Sequence, residues 1–282
     1  LYTTEYQYIQ ASQKSQIFLA HYLPAGHKTG PDKAKAIILV PPFAEEMNRS
    51  KRMYVLCARL LANAGLHVIC FDYSGTGDSS GEWGQFSYQD WVNDLKTVHD
   101  YALKTTSDID FIALRFGALL LTDAILGKFV SANKCIFWDP LESGDVLTRQ
   151  LVRIKIAAAM ADNSKKITSQ EVMQSIHDGG HLESAGYYIT QSMFDEISTK
   201  KLADNISNLL AVASVHWMTS GKFKAGENKW LANSFKSDDL NSDLAKKSLN
   251  MHPVNDVKFW MQQEVTISPK LLQLTKRVCV NE

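Results

Sequence analysis

The chain opens on two extended stretches, Tyr6–Ala11 and Gln16–Tyr22, separated by a polar break, and together they predict an antiparallel ribbon. The rhythm then changes. Ala36-Ile37-Ile38-Leu39-Val40 is uninterrupted apolar sequence, and Ser50–Ala64 follows with helical spacing and stops at Gly65. The pattern repeats: a strand at Leu66–Phe71, a helix capped by Ser87 and running to about Lys104, a strand at Ile109–Leu114, a helix over Phe116–Leu126 ending at Gly127, and a strand at Cys135–Trp138. Strands that are apolar throughout need cover on both faces, so this alternation predicts an α/β domain with a doubly wound, mostly parallel sheet.

From Leu141 to Asn205 the alternation lapses. Val146–Ala161, which carries Arg149, Arg153 and Lys155, has helical spacing, as do Ser169–His177 and Thr190–Leu202. Leu209–Trp217 resumes as a strand, Lys229–Leu249 reads as a helix, Val254–Trp260 as the last strand and Ser268–Cys279 as a closing helix. The chain thus divides into a core of residues 1–140 and 206–282 and a helical cap of residues 141–205, inserted after the strand at 135–138. An insertion there lies over the carboxyl ends of the strands, where α/β sites form.

Composition narrows the function. With 30 Lys+Arg against 30 Asp+Glu, the zero net charge argues against a nucleic-acid partner. At 45% apolar and 21% charged residues, the 282-residue chain has the make-up of an ordinary globular protein. No apolar run approaches the ~18 residues of a membrane span. The first residues, Leu1-Tyr2-Thr3-Thr4, lack a signal-peptide pattern, so export has no support. Cys57, Cys70, Cys135 and Cys279 form no C-x-x-C pair and mostly sit in apolar runs, as reduced thiols of a cytoplasmic protein would. No metal site or cofactor is expected.

Two segments carry chemistry. Asp72-Tyr73-Ser74-Gly75-Thr76-Gly77-Asp78-Ser79-Ser80-Gly81 follows a buried strand, and its glycines permit a tight reversal. A dinucleotide fingerprint would need glycine or alanine at Ser80 and a place after the first βα strand; it has neither. A structural turn is the expectation. The second segment, Ala113-Leu114-Arg115-Phe116-Gly117, joins a strand to a helix with small residues on either side of position 115. It resembles the nucleophile elbow of the α/β-hydrolase superfamily, small-x-Ser-x-small. Asp72–Ser79 resembles that superfamily's D-x-x-G-x-G-x-S turn, and Pro41-Pro42-Phe43-Ala44 its oxyanion-hole loop. The resemblance implies an α/β-hydrolase fold.

The nucleophile position, however, holds arginine. A guanidinium has only donors and stays charged, so it cannot attack a carbonyl. None of the eight histidines falls in the expected triad loop, read as Phe259–Val265, where Glu264 stands instead. The acid position offers Met218–Gly221, with Glu227 further on; His216 reads as packed in a strand, His252 as a surface or capping residue and His181 as a loop residue of the cap.

Four strings occur in order: Pro42-Phe43-Ala44-Glu45-Glu46-Met47-Asn48, Leu114–Ala118, Leu182–Tyr187 and Phe259–Glu264. Together they resemble the second of two hydrolase types associated with the exosortase A system of Gram-negative bacteria. Members of that family carry arginine at the elbow as well. The resemblance implies a cytoplasmic protein linked to exopolysaccharide production, with that machinery's proteins as partners, and supplies no substrate.

An arginine beside a helix N-terminus suits a carboxylate or phosphate, so the ligand site is expected around Arg115, the N–H groups of Phe116 and Phe43, and Trp260. An internal carboxylate from Glu45, Glu46 or Glu264 competes for the same guanidinium. Arg149 and Arg153 share a helical face and extend the positive surface, while Trp138, Trp217 and Trp260 fall near strand ends. Three readings follow: a degenerate triad that binds an anionic or acyl-bearing small molecule; a hydrolase using Ser74, Ser79, Ser220 or an Asp139–Glu264 pair; and a protein-interaction module.

Overall fold

The computed structural model describes residues 1–27, 35–161, 167–221 and 248–281. β1 (Tyr2–Ser12) and β2 (Ser15–Pro24) form the predicted antiparallel ribbon, longer at both ends than the sequence pattern suggests. The core alternates β3 (Ala36–Val40), α1 (Glu45–Ala62), β4 (His67–Phe71), α2 (Tyr88–Leu103), β5 (Ile109–Leu114), α3 (Phe116–Leu126) and β6 (Lys134–Trp138). Ser87 caps α2 as predicted, in a reciprocal box with Asp90. α1 starts five residues before its predicted Ser50, so Glu45 and Glu46 occupy its first turn.

With β9 (Ser214–Ser220) and β10 (Leu249–Val254), the eight-stranded sheet has the order β1-β2-β4-β3-β5-β6-β9-β10; β2 pairs antiparallel with both β1 and β4, and the other pairs are parallel. Successive residues of one strand feed opposite layers. Ile37 and Leu39 pack with Met53, Cys57 and Leu61 of α1 and with Leu271 of α8 (Pro269–Asn281). Ile38 and Val40 pack on the other face with Trp91 and Leu95 of α2 and Leu120 of α3. Covering both faces is what the unbroken apolar strands demand. All four cysteines are free thiols, three of them buried. No helix among the described residues is long and apolar enough to cross a membrane.

Between β6 and β9 lie α4 (Gly144–Ala161), α5 (Ser169–His177), the hairpin β7 (His181–Ser184) and β8 (Tyr187–Thr190), α6 (Gln191–Ser198) and α7 (Leu202–Leu210). The hairpin precedes the predicted Thr190–Leu202 helix, which is shorter than expected: Thr190 is the N-cap of α6, α6 ends at Ser198, and Leu202 begins α7. Its two-residue turn, Ala185-Gly186, has positive φ at both positions, which matches the twist of a tight hairpin. The predicted strand Leu209–Trp217 starts too early, because Leu202, Ile206, Leu209 and Leu210 form one buried face of α7 and the strand β9 is Ser214–Ser220.

The last strand is also displaced: β10 is Leu249–Val254, and Phe259–Met261 is a single 3₁₀ turn. An edge strand carries little apolar sequence, whereas the buried Phe259 and Trp260 imitate a strand although they belong to a turn. The predicted helix Lys229–Leu249 lies outside the described residues, apart from Ser248 and Leu249, the latter in β10. Glu227 lies outside them as well.

Candidate functional site

One residue turns the chain between β5 and α3. Arg115 does so at φ 54° and ψ −114°, a conformation that costs a non-glycine residue about 1–3 kcal/mol. Two features enforce it. The Arg115 N–H donates to the Trp138 carbonyl at 3.0 Å, carrying the β5–β6 ladder one residue past the strand. Gly117 passes so close to β3 that a Cβ there would stand 2.7 Å from the carbonyl oxygens of both Val40 and Pro41. The small residue read from the sequence is therefore a steric necessity.

The end of β6 is built in a similar way. Asp139 has φ 43°, and its N–H donates to the Met218 carbonyl at 2.8 Å. The side chain is buried. Its Oδ1 accepts the Ser220 N–H at 2.9 Å, and Oδ2 has no hydrogen-bond partner among the described residues. Burial pushes the carboxyl up to about 6, against the opposing pull of Ser220 and of the Lys258 and Arg115 charges.

α1 supplies the third wall. After Pro41 and Pro42, Ala44 turns into the helix at φ 51°. Glu45 pairs with Arg49 at 3.3 Å, and Glu46 Oε1 accepts from Arg115 Nε at 3.2 Å. Burial raises the Glu46 carboxyl above its ordinary range while Arg115 pulls it down. Glu46 Oε2 has no partner among the described residues. Arg115 Nη2 donates to Gln150 Oε1 of α4 at 2.8 Å, and the guanidinium carbon lies 5.9 Å from the Trp260 ring centroid.

These walls enclose a cavity of about 720 Å³ at the carboxyl ends of the strands. It gathers Arg115, Glu45, Glu46, Asp139, Arg153, Trp217, Thr219 and Trp260 from the residues singled out in the sequence, and adds Arg49, Gln150 and Lys258. Lys258 was hidden by the misplaced last strand: the loop after β10 begins at Asn255, and Lys258 lies where the superfamily's histidine would be sought. Arg49, one turn after Glu45, was legible as an ion-pair partner but not as a wall residue. Nothing local in the sequence marks Gln150, whereas Thr219 lies in the Met218–Gly221 stretch read as the acid position.

Other expectations fail on placement. Glu264 is exposed beyond the 3₁₀ turn and outside the cavity wall, so it neither pairs with Arg115 nor joins Asp139. Trp138 is buried away from the cleft, its Nε1 donating to Thr275 Oγ1 at 3.0 Å. The Phe43 and Phe116 rings are buried against each other at 5.1 Å; only their backbones face the question of an anion. As the first residue of α3, Phe116 has an N–H without an intrahelical acceptor. Arg149 pairs with Asp145 and lies outside this cavity.

Two of the three serine candidates are engaged elsewhere. Ser74 donates from its N–H and hydroxyl to Asp94 at 2.7 and 3.0 Å. Ser79 donates to the Asp72 carbonyl at 2.6 Å. Ser220 is buried behind Asp139 and is not part of the wall. His181 is exposed against Tyr188. His252 lies within β10, its ring stacked on His216 at 5.3 Å, rather than before the last strand.

The four sequence strings meet at this cavity. Glu46 comes from the first, Arg115 from the second, Ala185 from the third, and Trp260 and Met261 from the fourth. Asn48 of the first string donates to the Tyr187 hydroxyl of the third at 2.8 Å, joining α1 to the hairpin. Trp83 completes that joint, packing on Tyr187 at 4.5 Å and donating to the Tyr188 carbonyl at 2.8 Å.

No protein-family model and no curated protein sequence matches the chain. Solved structures do. Est1E from Butyrivibrio proteoclasticus, bound to ferulic acid, superposes with a TM-score of 0.64 at 13% identity, covering 98% of this chain and 96% of that one. The mouse alpha/beta hydrolase domain-containing protein 10 gives 0.59 at 15% identity, with 98% and 97% covered. A thioesterase domain from the curacin biosynthetic pathway gives 0.52 at 11% identity, with 99% and 98% covered. The chain has the α/β-hydrolase fold, and likeness at this level of identity speaks to fold alone.

Proposed function

We propose that the chain uses this scaffold as a receptor for an anionic or acyl-bearing small molecule and is not a serine hydrolase. The observation that carries the reading is the Arg115 guanidinium, held inside the cavity at the elbow. The positive end of α3 lies beside it, and Arg49, Arg153 and Lys258 add cationic charge to the wall. Glu46 occupies Nε, so an internal carboxylate and a ligand anion share one guanidinium.

Each charge-assisted hydrogen bond is worth about 1.5–3 kcal/mol. Two of them correspond to a Kd of roughly 1 mM, so the arginine orients a ligand and the remaining wall must supply affinity. Residues 141–205 act in this reading as a cap, supported by Gln150, Arg153 and Ala185 in the wall. The string resemblance supports a cytoplasmic, exopolysaccharide-linked setting, which co-purification with that machinery would test.

Short-chain esters should not be turned over, and a fluorophosphonate probe should label no serine. Acetate, benzoate and phosphate should raise the melting temperature, and Arg115→Met should abolish the rise. Labelling of any serine ends this reading.

Asp139 favours a second reading. A cavity carboxyl that titrates at about 6 is suited to take a proton from water, so hydrolysis without a covalent intermediate is the alternative. Ester turnover that survives Arg115→Ser and disappears in Asp139→Asn would establish it. A pure interaction module is favoured less, because the guanidinium and its carboxylate leave a cavity of small-molecule size.

A further inference from the structure

Helix α4 changes character along its length. Its buried residues, from Gly144 to Val152, all lie in the first half. The second half has no polar residue after Lys155 and ends Ile156-Ala157-Ala158-Ala159-Met160-Ala161. Four of those six are exposed, Met160 at 56%, and Ile154 just before them is 47% exposed. A helix end that is apolar throughout and turned largely to solvent marks a place where something apolar lies.

The place where this surface begins tells what lies on it. Gln150, Ile154, Ala157 and Ala161 follow at steps of four, three and four, so they share one face of α4. At the inner end of that face Gln150 accepts from Arg115. Ile154 both lines the cavity and meets solvent, so it stands at the rim, as does Met261 at 63% exposure. Ala157 and Ala161 lie beyond the wall. From Gln150 to Ala161 the face runs about 16 Å, leading away from the cavity.

The inner end is equipped for a charged head. The guanidinium commits two N–H groups, to Glu46 and Gln150, and the Arg115 side chain keeps 14% of its surface accessible. The remaining N–H groups are enough for both oxygens of a carboxylate. A cation at the inner end of an apolar track suits a molecule with an anionic head and an apolar tail. Resting on the anion-receptor reading above, we infer that the ligand is a single-chain amphiphile with a carboxylate head. The head lies on Arg115, and the chain leaves the cavity between Ile154 and Met261 and continues along Ala157 and Ala161.

Calorimetric titration of the whole protein tests this with acetate, octanoate, dodecanoate and dodecyltrimethylammonium, each kept below its micelle concentration. A methylene half removed from water tightens binding about twofold. Octanoate should therefore bind at least tenfold more tightly than acetate, and dodecanoate at least tenfold more tightly than octanoate. Arg115→Met should weaken all three acids together. Ala157→Glu places a charge on the track outside the cavity and should weaken dodecanoate about tenfold and octanoate less than twofold. Equal affinity for octanoate and dodecanoate overturns the amphiphile and leaves the anion reading standing. So does dodecanoate binding that ignores Ala157→Glu, or dodecyltrimethylammonium binding as tightly as dodecanoate, which is adhesion of a tail alone. A dimer in sedimentation that Ala157→Glu dissociates, with no dependence on chain length, gives the track to a second copy and overturns the inference too. If none of the acids binds, the anion reading itself falls and this inference with it.

Discussion

The turn at residues 72–81 and the cavity around Arg115 are both polar, both built on positive-φ residues, and both found at strand ends. They differ in how their polar groups are used. In the turn, Asp72 accepts from Lys51 Nζ at 2.7 Å and from the Asp78 N–H at 3.1 Å. Ser74 and Ser79 are likewise spent on Asp94 and on the Asp72 carbonyl. The cavity leaves two carboxyl oxygens, a hydroxyl and an indole N–H without protein partners. Residue type alone does not separate the two regions: the polar groups of the turn close on one another, whereas those around Arg115 belong to the wall of a cavity of about 720 Å³.

That contrast breaks first if the turn proves soft. Gly77 has φ 52°, and a Cβ there would fall 2.2 Å from Asp72 Oδ2. Gly77→Ala should lose about 4 kcal/mol in urea denaturation, the sum of backbone strain and overpacking. A loss below about 1 kcal/mol would mean that the turn yields, and its self-sufficiency would no longer set it apart.

A pH comparison sharpens the cavity side. The folded Asp139 carboxyl titrates at about 6 against an ordinary 3.8. Between those values the folded state keeps a proton that the unfolded chain releases. The associated stability is therefore full below 3.8 and is lost as pH rises through about 6. Asp139→Asn cannot ionise, so the variant should gain on the parent by about 2 kcal/mol between pH 4 and pH 7. A constant difference across that range would show that Asp139 is not desolvated.

The smallest expected effect lies between the regions. Asn48→Ala removes the bond to Tyr187 and should cost about 1 kcal/mol, seen as faster hydrogen exchange across residues 181–190 with little change in global unfolding. Unchanged exchange there would place the hold on the hairpin in Trp83 alone.

Much of the core was legible because burial on both faces leaves a plain mark: Ala36–Val40, apolar throughout, and Ile109–Leu114, apolar apart from Asp110, are strands as predicted. The elbow was legible for a steric reason, since little but glycine fits at 117. The edge strand β10 was not, because Asn250, His252 and Pro253 face no apolar layer that would pattern them, and the buried Phe259 and Trp260 drew the strand too far along. That single displacement moved the loop after the strand and hid Lys258. The Arg115–Glu46 pair was one of three alternatives in the sequence; choosing it needed the extra turn at the start of α1, which puts Glu46 in reach and leaves Glu264 outside.

The hydrogen bond from Arg115 to Gln150 has a consequence for how occupancy would be felt. Arg115 is anchored in the sheet and Gln150 rides on α4, so this bond is a rivet between two layers of the molecule. Nη2 carries a second N–H, so a guest anion bound there would share the atom that holds Gln150. Filling the cavity is then felt at this joint, and a label on α4 would register a guest it never touches.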